Sequence, residues 1–108
     1  MNPLRKYVEH WFAHTALRTG HPNWLKLTEH WINDVASARP GFEAELRQVA
    51  LAALNSSQRD LIHRGLAALA VVGNSEDLPA IESLLTSSDS YISGAASTAR
   101  FEIAHRAA

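Results

Sequence analysis

At 108 residues, 46% of them hydrophobic and 19% charged, the chain is long enough to bury one core without disulfides or metal and too short for two independent cores. Ten Lys and Arg against eleven Asp and Glu leave a net charge of -1, without the clustered basic excess that holds nucleic-acid phosphates. Cysteine is absent, which excludes a disulfide framework, a thiolate nucleophile and a cysteine zinc site.

The opening MNPLRKYVEHW breaks its apolar residues with charges at helical spacing, so the continuous core of a secretory signal is missing. The longest nearly uncharged apolar run, Gly65 to Gly73, falls far short of the roughly 20 residues that span a bilayer. A cytoplasmic protein is expected, with neither a membrane nor a nucleic acid as partner.

Helix 1 is predicted from Pro3 to Arg18, with Asn2 as N-cap and Gly20 past its end. Leu4, Val8, Trp11 and Thr15 form its inward stripe, widened by Tyr7, Phe12 and Ala16. Helix 2, Pro22 to Ala38, turns Trp24, Leu25, Thr28, Trp31, Ile32 and Val35 inward and ends at Arg39-Pro40-Gly41. Helix 3, Phe42 to Leu54, buries Phe42, Leu46, Val49, Ala50 and Ala53.

Helix 4, Gln58 to Val72, follows Ser57 and Asp60 at capping-box spacing and presents Leu61, Ile62, Gly65, Leu66, Leu69 and Val72 on one face. Gly65 costs about 1 kcal/mol relative to Ala in helix propensity, a cost that a close helix crossing would justify. Gly73-Asn74 is expected to stop this helix in the left-handed conformation. Ser75 is then read as the cap of a short helix 5, with Pro79 early in it and Leu78, Ile81, Leu84 and Leu85 inward. Helix 6 begins after Ser88-Asp89 and turns Ile92, Ala95, Ala96, Ala99 and Ile103 inward. At about 100° per residue Phe101 falls roughly opposite Ile92, on an outward side shared with Gly94, Thr98 and His105. No segment alternates as a strand does, so only helices are expected.

From Ser56 to Arg106 these pieces form a repeating pattern. Leu61-Ile62-His63-Arg64-Gly65-Leu66-Ala67-Ala68-Leu69 runs to Gly73, Glu76-Asp77-Leu78-Pro79-Ala80-Ile81 opens a partner helix, and Ser88-Asp89 leads into Ile92. This resembles the short bacterial HEAT-like repeats, in which an Ala- and Leu-rich helix ends in Gly, a Pro-initiated helix follows, and an Asp-containing turn restarts the cycle. Ile62 and Ser93 stand where that family often has Arg, so an Arg–Asp ladder between repeats is not expected. The resemblance implies an all-α, right-handed α-solenoid of about six helices in stacked antiparallel hairpins, over one domain, 1–108. Within it 41–108 is the clearer repeat and 1–40 supplies less typical cap helices. Helix 2 would pair with helix 3 and helix 4 with helix 5, with the tryptophans closing the N-terminal end of the stack.

The resemblance also implies a scaffold that binds a protein through the second helix of each pair. Here that surface would be Glu43, Glu45, Gln48, Asp77, Glu82 and Ser83, acidic enough to suit a basic partner. An inhibitor or immunity-type protein falls within this class. Phe101, with Tyr91, on an uncapped last helix adds self-association as a further expectation. Catalytic residues and cofactors are not expected, because no Ser-His-Asp order, phosphate loop or carboxylate pair stands out. The alternative is a metal-dependent enzyme or sensor built on His10 and His14, four apart on one helix face, with His30 or Glu29 as a further ligand.

Overall fold

The computed structural model describes residues 3–17 and 22–107, and every regular element among them is helical. In chain order these are α1 (Pro3–His14), α2 (Trp24–Ala36), α3 (Phe42–Ala53), α4 (Arg59–Val72), a 3-10 turn (Ser75–Asp77) running directly into α5 (Leu78–Glu82), and α6 (Ser90–Ala107). The expected cap at Asn2 and stop at Gly20 lie outside the described residues, but α1 ends at His14, short of the predicted Arg18, and Thr15 to Leu17 are not helical.

Packing is organised around α4, which lies chiefly against α3 on one side and α6 on the other, with α2 also against it. Gly65, Leu66, Ala67, Ala68, Leu69 and Ala70 are all buried, so through this stretch α4 has no wet face. A helix that is apolar all round is an interior helix. Gly65 serves the predicted close crossing, since a Cβ there would stand 2.8 Å from the carbonyl oxygen of Ala50 on α3.

At the other end of the core, α1 packs on α3. The fully buried Phe42 ring takes the edges of Trp11 and Tyr7, with centroids 5.1 and 6.3 Å away. The Arg39 guanidinium covers Tyr7 at 3.8 Å. Gly41 turns the chain into α3 with φ 87°, a left-handed conformation that favours glycine.

Several local expectations change. Gly73 is extended, with φ -70° and ψ 161°, and not left-handed. Its lack of a side chain serves close packing instead, because a Cβ would stand 2.6 Å from Ile103 Cδ1 on α6. The Ser57–Asp60 capping box does not form: Asp60 bonds Arg64, and the Gln58 amide donates to Ser56 Oγ. Ser87 Oγ accepts from the Asp89 amide in the same way before α6, so the two long helices start from matching serine turns. A capping box does form one turn early at helix 5, where Asn74 and Asp77 exchange side-chain and backbone bonds in place of the predicted Ser75 cap. The helix pairing differs too. α5 lies mainly on α6, and α2 meets α4 more extensively than it meets α3.

Candidate interaction surface

The residues predicted to form one acidic surface are largely engaged within the chain. Asp77 is 2% exposed. Its carboxylate accepts from Arg47 Nε at 2.8 Å and Nη2 at 2.7 Å, and from the Asn74 amide at 2.9 Å. The bond to Asp77 raises the Arg47 pKa further above its ordinary value, against the opposing effect of burial. Asp77 therefore ties α3 to the turn before α5 and does not face a partner.

Glu45 and Gln48 are held from α1, where Arg5 Nε donates to Glu45 at 2.6 Å and Nη2 to Gln48 at 3.0 Å. Ser83 donates to the Ala80 carbonyl at 2.7 Å, a bond inside its own turn. Glu82 is exposed and lies 3.9 Å from Arg100, and Glu43 is exposed at the start of α3. Glu43 and Glu82 are the carboxylates that remain of the expected acidic surface, and the neighbouring Glu76, which was not among those expected, is exposed 3.6 Å from Arg47.

The arginines that make these ties were not singled out from sequence, and they recur. Arg47 reaches Asp77 and Arg59 reaches Asp89, the two pairs having the same separation of 30 residues. Two Arg–Asp pairs at one common separation were the available signal. Arg59 pulls the Asp89 pKa down through its hydrogen bond, and Asp89 raises that of Arg59. Two further arginines close helix ends. Arg64 of α4 donates to the carbonyls of Phe12 and Thr15 at the end of α1, and Arg106 of α6 donates to those of Ala70 and Gly73 at the end of α4. A cation at a helix C-terminus satisfies orphan carbonyls and complements the dipole.

The His10 and His14 rings stack on one another at 4.1 Å, and His14 Nδ1 bonds the His10 carbonyl at 2.9 Å. This arrangement lays the rings flat against each other instead of converging their nitrogens on one point. Among the described residues no three His, Asp or Glu side chains come together as a metal site, so His30 does not join the pair. His63, by contrast, is 4% exposed and stacks on Tyr91 at 4.0 Å. Burial pushes its pKa down.

Tyr91 is 37% exposed and Phe101 63%, and both lie on α6. Arg59 sits over Tyr91, 4.8 Å from its centroid, and the His63 ring meets the same tyrosine at a tilt of 38°. Among the described residues, Phe101 has the His105 ring stacked beside it at 5.6 Å. The predicted outward placement of Phe101 is what the structure shows. Ile92, Ala95, Ala96, Ala99 and Ile103 form the buried side of α6, and its exposed positions mix Ser90, Ser97, Arg100 and His105 with Tyr91, Gly94, Phe101 and Ala104. Set against models of known families, curated proteins and solved structures, the chain matches none.

Proposed function

We propose that the chain is a non-catalytic protein-interaction module built as a short HEAT-like stack, and that it works by covering a partner's surface. The observation that carries this reading is the distribution of exposed groups. Among the described residues the large exposed hydrophobic side chains, Phe101 and Tyr91, both belong to α6, while Arg47, Asp77, Arg59, Asp89, Arg64 and Arg106 are consumed in holding helices together. The two Arg–Asp ties at a common separation and the matching serine turns before α4 and α6 support a repeated unit.

Exposed Glu43 and Glu82 give the module a modest acidic side for a basic partner, with electrostatics acting on association rate and selectivity. The test is Glu43→Lys with Glu82→Lys, followed by capture of partner from the chain's own source cells. A basic partner lost by the double variant, at unchanged thermal stability, supports the reading. Equal capture by wild type and variant removes the acidic side from it. Stoichiometric zinc or iron in protein purified without a tag, lost on His14→Ala, would overturn the non-catalytic reading in favour of the metal alternative.

A further inference from the structure

The first turn of α6 is fastened to the first turn of α4 by a joint of four side chains. Tyr91 has the ring of His63 4.0 Å away and the Arg59 guanidinium 4.8 Å from its centroid. Arg59 also pairs with Asp89, whose Oδ1 accepts from the Tyr91 amide at 3.0 Å and so caps the helix. The tyrosine held by Arg59 and Asp89 is thus the one that covers His63, and His63 is left 4% exposed. Further along, α6 is secured by other means. Ala95, Ala96, Ala99 and Ile103 are buried, and Arg106 donates to the carbonyls of Ala70 and Gly73. Gly94 stands between the two regions, and a glycine inside a helix weakens it by about 1 kcal/mol relative to alanine.

Among the described residues, the charged groups acting on His63 are Arg59, Asp60 and Arg64 of its own helix and Asp89 from the turn before α6. The two arginines are held where they are, Arg59 by Asp89 and Arg64 by Asp60 and the carbonyls of Phe12 and Thr15. Burial, aided by these two cations, outweighs the pull of Asp60 and Asp89, so the imidazolium is disfavoured while the joint is closed.

We propose that the joint is an acid-operated latch: a proton on His63 frees the first turn of α6 from α4, uncovering Tyr91 and Ile92 while the rest of the helix stays docked. At neutral pH and above the ring is uncharged and the latch is closed. In the open form the ring is hydrated and titrates near its ordinary 6.5, so the open form gains as pH falls below that value toward the lower one of the closed form. Ile92, 6% exposed when closed, then adds to the apolar surface that Tyr91 and Phe101 present on α6. The device is independent of Glu43 and Glu82.

Amide hydrogen exchange from pH 7.5 to pH 5, corrected for the intrinsic pH dependence of exchange, tests the latch. The Tyr91 and Ser93 amides, bonded to Asp89, should be less protected than those of Leu66 to Ala70 in α4 at every pH. Their exchange should not respond to low urea, as befits a local opening. Their protection should fall by at least about threefold across this range, and in His63→Phe, which keeps a flat ring against Tyr91 without a titrating group, that fall should vanish. The wild type alone supplies a second check, because the midpoint of the His63 imidazole titration by NMR should coincide with the midpoint of the lost protection. Protection at Tyr91 and Ser93 that equals that of the α4 amides with the same urea slope overturns the latch. So does an undiminished fall in His63→Phe, or a His63 midpoint that differs from that of the opening.

Discussion

Replacing Asp77 by alanine tests whether the Arg47 tie holds the two halves of the chain together. The substitution removes three acceptor contacts at once, to Arg47 Nε, Arg47 Nη2 and the Asn74 amide. Breaking a buried ion pair by deleting one partner typically costs about 3–5 kcal/mol, and losing a helix cap about 1 kcal/mol. Arg47 keeps 24% side-chain exposure and has Glu76 at 3.6 Å, so its stranded charge can be partly hydrated and partly paired. Those effects pull the expected loss to about 3 kcal/mol. For a domain near this size, at about 4–8 °C per kcal/mol, the melting temperature should fall by roughly 15 °C. Urea denaturation followed by far-UV circular dichroism measures the loss directly. Asp77→Asn, which keeps an acceptor for the Asn74 amide but not the charge, should fall between wild type and Asp77→Ala. A loss under about 1 kcal/mol for Asp77→Ala would refute the assignment of Asp77 as a buried strut, as would additivity with Arg47→Met in a double-mutant cycle.

Other substitutions separate packing from polarity. Thr28 is 1% exposed and its Oγ1 has no hydrogen-bond partner among the described residues, so Thr28→Val should raise stability by about 1 kcal/mol in the same urea titration. Gly65→Ala should lower it by about 1–3 kcal/mol although alanine is the better helix former, because its Cβ would stand 2.8 Å from the Ala50 carbonyl oxygen. His63 has a folded-state pKa depressed below 6.5 by burial, so in the window below pH 6.5 the unfolded chain binds the extra proton and stability rises with pH. The contribution is whole above pH 6.5 and is lost as pH falls toward the folded pKa. Among its neighbours, Asp60 and Asp89 oppose the shift while Arg59 and Arg64 add to it. Melting temperatures from pH 5 to 7.5 should show a slope in wild type that His63→Phe flattens.

Helix existence and most helix ends were legible because Pro, Gly and Ser punctuate this sequence at helix lengths, and the apolar stripes of α1, α2 and α3 follow a regular period. The purpose of Gly65 was legible for the same reason, since a glycine within an apolar helical face implies a close neighbour. The burial of Ala67, Ala68 and Ala70 beside Leu66 and Leu69 was not. Periodicity assumes that a helix has a wet side, and alanine suits either side, so a helix covered by both α3 and α6 gives no contrast to read. The acidic surface failed at Asp77 and Glu45 for a different reason. A carboxylate's exposure depends on whether an arginine from another helix reaches it, and Arg47 and Arg5 come from segments 30 and 40 residues away. Asn74 displaced Ser75 as cap because its side chain and amide can both bond within the Asn74–Asp77 turn.

The two long helices make the functional argument sharper when set side by side. Both α4 and α6 follow a serine turn, and both have a neighbour's arginine or their own engaged at a helix end. They differ in what covers them. α4 has neighbours on opposite sides, so its alanine-rich surface is interior. α6 packs on α4 and α5, and its exposed positions mix Gly94, Ala104 and Phe101 with Ser90, Ser97, Arg100 and His105. Phe101, 63% exposed on α6, is therefore the side chain on which the proposed interaction reading rests most directly.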